Sequence, residues 1–113
     1  MTDTVIVKQR VKEGQIDRLR AWMAEVRDRR DEAEATLREE GMVTESAFLE
    51  HTDDGPHLVY YMEAEDIDRV WGQYADSDHD IDREHEQVMA EVLEDGRDVG
   101  EFEPLYHLTN PDR

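Results

Sequence analysis

Carboxylates outnumber basic side chains 31 to 13 in these 113 residues, giving a formal net charge of −18. That excess constrains the fold more than any other feature. In dilute buffer it repels itself and opposes compaction, so the apolar residues must be gathered into narrow periodic stripes if the chain is to fold at all. Molar salt relieves the repulsion, because the Debye length shrinks to roughly 3 Å at 1 M ionic strength. Only Lys8 and Lys12 are lysines, and the remaining basic residues are arginines. This lysine-poor, carboxylate-rich balance predicts a cytoplasmic protein of a salt-in halophile. An acidic surface of this density also repels phosphate backbones and anionic headgroups, which disfavours nucleic acid and membranes as partners.

Size sets the next limit: residues 1–113 are enough for one domain and one core. There are no cysteines, hence no disulfide framework, zinc knuckle or thiol nucleophile. Residues Met1 to Val7 lack a basic region and a long apolar run and do not read as a signal peptide. No segment approaches the ~20 apolar residues of a membrane span.

The apolar residues are periodic. Over 4–11, Val5, Val7 and Val11 alternate with Ile6, Lys8 and Arg10, as in a strand. From Gly14 to Glu40, Ile16, Leu19, Met23, Val26, Ala33 and Leu37 keep one helical stripe that ends at Gly41, with Arg30 standing where an apolar residue is due. Residues 42–50 and 57–63 read as strands joined by the turn Thr52-Asp53-Asp54-Gly55-Pro56. A second helical region carries Ile67, Val70, Trp71 and Tyr74, breaks at Ser77-Asp78, resumes through Ile81, His85, Val88, Met89, Val92 and Leu93, and stops at Gly96. A last strand is expected over Phe102 to Thr109.

The order β-α-β-β-α-β is that of a ferredoxin-like α+β domain, a four-stranded antiparallel sheet with helices on one face. Apolar side chains on both faces of the strands, with Val59 and Tyr61 opposing Leu58, Tyr60 and Met62, predict that the second face is covered as well. A short chain without spare elements can cover it only with another subunit, so a homodimer with sheets face to face is expected.

The stretches Glu45-Ser46-Ala47-Phe48-Leu49-Glu50, Val59-Tyr60-Tyr61-Met62-Glu63-Ala64-Glu65-Asp66, Asp80-Ile81-Asp82-Arg83-Glu84-His85 and Leu105-Tyr106-His107-Leu108, with the element order, resemble an uncharacterised haloarchaeal family and, more widely, the dimeric α+β barrel superfamily of antibiotic-biosynthesis monooxygenase-like proteins. The resemblance implies the barrel fold and dimerisation, and it carries no single activity. Relatives in the superfamily include cofactor-independent oxygenases, haem-degrading enzymes and binding proteins. The haem-degrading ones use an Asn, a Trp and a His. Trp71 and His85 offer two of these, whereas the first strand has Gln9 and no Asn.

Four residues are candidates for a ligand site. His85 lies on the stripe of the second helical region, where a histidine can act as a base or ligand near neutral pH. The alternative is a core-edge histidine bonded to Asp82 or to a carbonyl. Tyr60 and Trp71, with Tyr61, Tyr106 and Trp22, offer aromatic surface for a flat ligand or simply fill a core. Arg30 suits a small carboxylate or enolate, or else pairs with a neighbouring acid. The acidic run from Asp76 to Asp82 fails as a calcium loop, because Ile81 and Gln87 stand where glycine and glutamate are required. No metal and no cofactor is expected. The leading functional expectation is a small organic ligand held between helices and sheet. The alternatives are a cofactor-independent monooxygenase or isomerase with His85 as base, and a structural or regulatory homodimer without ligand.

Overall fold

The computed structural model describes residues 2–94 and 98–112. The fold is α+β: β1 (Asp3–Arg10), α1 (Ile16–Asp28), α2 (Arg30–Glu40), β2 (Met42–Thr52), β3 (Gly55–Ala64), α3 (Ile67–Ala75) and α4 (Asp80–Val92). The three strands form an antiparallel sheet in the order β1-β3-β2, which is compatible with a ferredoxin-like arrangement. Among the described residues no helix is long and apolar enough to cross a membrane.

The hairpin forms at the expected turn, with Thr52 facing Gly55. The Thr52 hydroxyl accepts from the Asp54 N–H and donates to the Gly55 carbonyl at 2.7 Å. Strand alternation then divides the sheet. Val5 and Val7 face the helices together with Leu58, Tyr60 and Met62, while Ile6, Val59 and Tyr61 share the outer face. On β2 the alternation is interrupted, because Met42 pairs with Ala64 and Thr44 with the adjacent Glu63, leaving Val43 as a bulge. The extra residue turns Glu45, Ala47 and Leu49 to the helix side with Met42, as the pairing of Glu45 with Met62 and Ala47 with Tyr60 requires.

Two expectations are corrected. The single helix expected from Gly14 to Glu40 is broken at Arg29, whose backbone (φ −101°, ψ 38°) leaves the helical region. Between Val26 and Ala33 the sequence supplies only charged residues, so nothing apolar holds the stripe to one line. The Arg29 side chain instead joins Glu25, Glu32 and Glu84 at 2.6–2.8 Å. As a result α1 packs beside α4, whereas α2 runs along β2 and meets α3. Among the described residues, moreover, the sheet has three strands and not four. Val92 to Glu94, and then Val99, meet the outer edge of β1 and its continuation, through Lys12 N–H to Val92 O, Glu94 N–H to Arg10 O and Val99 N–H to Lys8 O. Gly100, with φ +79°, then redirects the backbone, and Pro104 has no N–H to give a ladder. Phe102 to Thr109 consequently forms no strand. The predicted stop at Gly96 lies outside the described residues; α4 ends at Val92.

The core is divided. One cluster gathers Val11, Leu19, Trp22, Leu58, Ile81, Val88, Val92 and Leu93, and the second gathers Met42, Met62, Ala64 and Val70. Tyr60 packs against both. Each buried aliphatic side chain contributes roughly 1.5–3 kcal/mol, yet the two clusters do not merge. The space between them is the candidate site.

Candidate functional site

The break at Arg29 and the bulge at Val43 together open a cleft of about 1260 Å³ between the helices and the inner face of the sheet. Glu45 and Ala47 lie on the face that helices should cover and are nonetheless exposed. Leu19, Trp22, Tyr60, Val70, Trp71 and Tyr74 give the cleft an apolar and aromatic lining, and Glu40, Glu45, Asp82 and His85 give it polar groups.

His85 sits at the centre of the aromatic lining. The Trp22 indole N–H donates to His85 Nδ1 at 2.8 Å, and Tyr60 Oη lies 3.3 Å from Nε2. An indole can only donate, so Nδ1 is the unprotonated nitrogen and Nε2 carries the hydrogen. Burial holds the ring neutral, pushing its pKa down to about 4 against a weaker opposing pull from Asp82. The His85 N–H therefore donates to Tyr60 Oη, and the Tyr60 hydroxyl hydrogen is left to point elsewhere. Burial, with the charge of Glu45, pushes the Tyr60 hydroxyl pKa up, so it remains a donor across the physiological range. Tyr74 stands edge-on to His85 with ring centroids 6.3 Å apart. Its own hydroxyl donates to the Asp82 carbonyl at 3.4 Å, and Arg83 covers its ring.

The other end of the cleft is acidic. Glu40, the last residue of α2, is buried at 6% exposure, and among the described residues no hydrogen bond reaches its carboxyl group. Desolvation, followed by the charges of Asp82, Glu45 and Glu39, raises its pKa to about 7. Glu45 is raised by the same causes, desolvation first and then Asp82. Its carboxylate is reached by water in the cleft yet enclosed by protein on most sides. Asp82 is buried and accepts from the Ser77 hydroxyl at 2.5 Å. Among the described residues no three His, Asp or Glu come together in a way that could hold a metal ion.

Of the residues singled out in the sequence, Tyr60, Trp71 and His85 line this one cleft. His85 is bonded to Trp22 and Tyr60 and not to Asp82 or a backbone carbonyl. Trp71 is 43% exposed at the rim. Arg30 borders the cleft but is solvated and pairs with Glu34 at 2.8 Å. Tyr61 faces the outer side, donating to Glu63 at 2.8 Å, and Tyr106 is exposed in the C-terminal segment. Glu40, Glu45 and Tyr74 complete the lining without having been singled out. In a chain this acidic only the bulge at Val43, invisible to simple alternation, turns Glu45 inward.

The arrangement can accept a hydrogen bond from a ligand at its acidic end, donate one from Tyr60, and pack an apolar body between the aromatic rings. No curated protein and no solved structure matches the chain. A family model described as a family of unknown function (DUF6176) matches residues 2–113, and the chain belongs to that family.

Proposed function

We propose that this is a small-molecule-binding protein that takes an organic ligand in the cleft between helices and sheet. The observation that carries the reading is the exposure of Glu45 and Ala47 on the inner face, where a purely structural domain would close its core. Tyr60 supplies a fixed hydroxyl donor, Trp71 supplies surface at the rim, and Arg30 stands at the border, where an anionic substituent would reach it. His85 acts as a positioning residue. Its one ring lone pair is taken by Trp22 and burial keeps it neutral, which supports binding rather than proton abstraction by His85. A thermal-unfolding screen in about 2 M KCl against haem, flavins, quinones, aromatic acids, aromatic amines and divalent metals tests this. A ligand at a hundred times its dissociation constant stabilises the native state by roughly 2.7 kcal/mol. A saturable shift that Ala47→Trp abolishes without unfolding the protein is expected. No shift across the panel would leave the cleft without a role and return the chain to a structural dimer.

A second reading concerns the outer face, and we infer that the chain forms a homodimer through it. Ile6 and Phe48 are 40% and 58% exposed there, and the segment that follows β1's outer edge exposes Leu105, Tyr106 and Leu108 at over 80%. His107 of that segment lies 3.6 Å from Glu63 on the same face. An apolar sheet face and an exposed apolar segment on one chain are the parts of a self-complementary interface. The sheet-on-sheet barrel of the dimeric α+β superfamily would follow from it. The acidic surface is read in the same spirit, as adaptation to the molar salt of a halophile's cytoplasm.

A further inference from the structure

We propose that the ligand of the cleft is an organic cation, a primary amine or similar group on an apolar body, whose charge is received by Glu40, Glu45 and Asp82. The inference rests on the cleft being a binding site and specifies what it binds. Glu40 is the decisive residue. The residue as a whole is 6% exposed, its side chain lines the cleft, and its carboxyl group has no hydrogen-bond partner among the described residues. A partly desolvated carboxyl group without a hydrogen-bond partner costs stability unless something else compensates it. It also closes α2, where the helix's own carbonyl end adds negative potential. Glu45 and Asp82 add to the same charge from β2 and α4.

Three features select the class of cation. Among the described residues no three His, Asp or Glu are grouped to hold a metal ion, and Glu40, Glu45 and Asp82 reach the cleft from α2, β2 and α4, which suits a charge carried on several N–H groups or spread over a larger body. Tyr60, Trp71 and Tyr74 share the lining, and aromatic faces attract organic cations. The arginines lining the cleft, Arg20, Arg27 and Arg30, are all exposed, so water and salt screen them far more than the buried Glu40 and Asp82. A cation is therefore favoured at depth, and an anion finds its partners only at the mouth.

Binding is coupled to protons. Glu40 holds a proton to about pH 7 because it is desolvated among Asp82, Glu45 and Glu39, and an arriving cation favours its charged form. The other groups near it are His79, which is paired with Glu39, Arg69 of α3, which donates to the Glu39 carbonyl, and Tyr74. None of these replaces the missing partner.

Benzylamine, with benzyl alcohol and benzoate as neutral and anionic counterparts of one shape, makes the test. Calorimetric titration of the full chain at fixed KCl is expected to show one saturable site for benzylamine, about tenfold or more tighter than for benzyl alcohol. Affinity should strengthen as pH rises through about 7, with proton release to the buffer. Glu40→Gln should weaken benzylamine about tenfold and remove both the pH dependence and the proton release. Glu45→Gln serves as the second variant should the first fail to fold. Equal or tighter binding of benzyl alcohol or benzoate would overturn the cation while leaving the cleft a binding site. Amine affinity untouched by both variants would overturn it as well. If none of the three probes binds at any soluble concentration, the cation and the binding reading fall together.

Discussion

Glu40 and His85 strain the native state in opposite directions, and their titrations separate them. Glu40 keeps its proton to about pH 7 when folded, against 4.5 for an ordinary glutamate carboxyl group. Over that range the native state binds more protons than the unfolded one, so this group's contribution falls as pH rises. His85 titrates at about 4 when folded against 6.5 when free. Its native state binds fewer protons there, so its contribution is lost as pH falls below about 6.5. The two effects oppose each other through the window they share. Glu40→Gln removes one of them. Measured by denaturant titration, the stability difference between variant and parent should be near zero at about pH 4.5, then grow to about 1–2 kcal/mol in favour of the variant above pH 7, allowing for partial solvent access to the carboxyl. A constant offset would mean that the Glu40 charge is not strained. At this scale Tyr60, Trp71 and His85 were legible because aromatic and imidazole groups are scarce and fell on apolar stripes. Glu40 and Glu45 were not, because each is one acid among 31, and what distinguishes them, burial at Glu40 and the shifted register at Glu45, is not carried by composition.

At the scale of elements, the punctuation of the chain explains most of what formed. Gly41 ends α2 in the left-handed conformation at φ +80°, and a side chain there would meet Arg69 at 3.2 Å. Asp66 caps α3, its carboxylate accepting from the Asp68 and Arg69 N–H groups. Asp66→Ala should cost about 1 kcal/mol, read as a melting temperature lower by about 4–8 °C for a domain of this size; an unchanged melting temperature would mean that packing alone holds α3. Turn residues, alternation and helix stops were readable because each depends on local chemistry. The break at Arg29 and the bulge at Val43 were not. The first follows from a charged run that interrupts the stripe without marking where the helix turns, with Arg29 held by Glu84 as well as by Glu25 and Glu32, and the second from the register of β2 on β3. The expected last strand failed for the converse reason: its apolar pattern is strand-like, but Gly100 and Pro104 remove the geometry and the donor it needs.

At the scale of the molecule, a single copy leaves apolar surface on one side and a charge of −18 around it. Light scattering behind size exclusion in about 2 M KCl should give twice the chain mass. Replacing Leu105 and Leu108 by Asp should weaken the association tenfold or more, since burying each leucine is worth roughly 1.5–3 kcal/mol. A monomer at every concentration would remove the homodimer. The same molecule also carries its own optical gauge. Its two tryptophans sit in opposite surroundings, Trp22 at 3% exposure with its indole bonded to His85, and Trp71 at 43% on the rim. Iodide in solution reaches the second and not the first, so quenchable emission reports the cleft mouth and protected emission reports its floor. A molecule entering the site would be seen by both fluorophores, each from its own side.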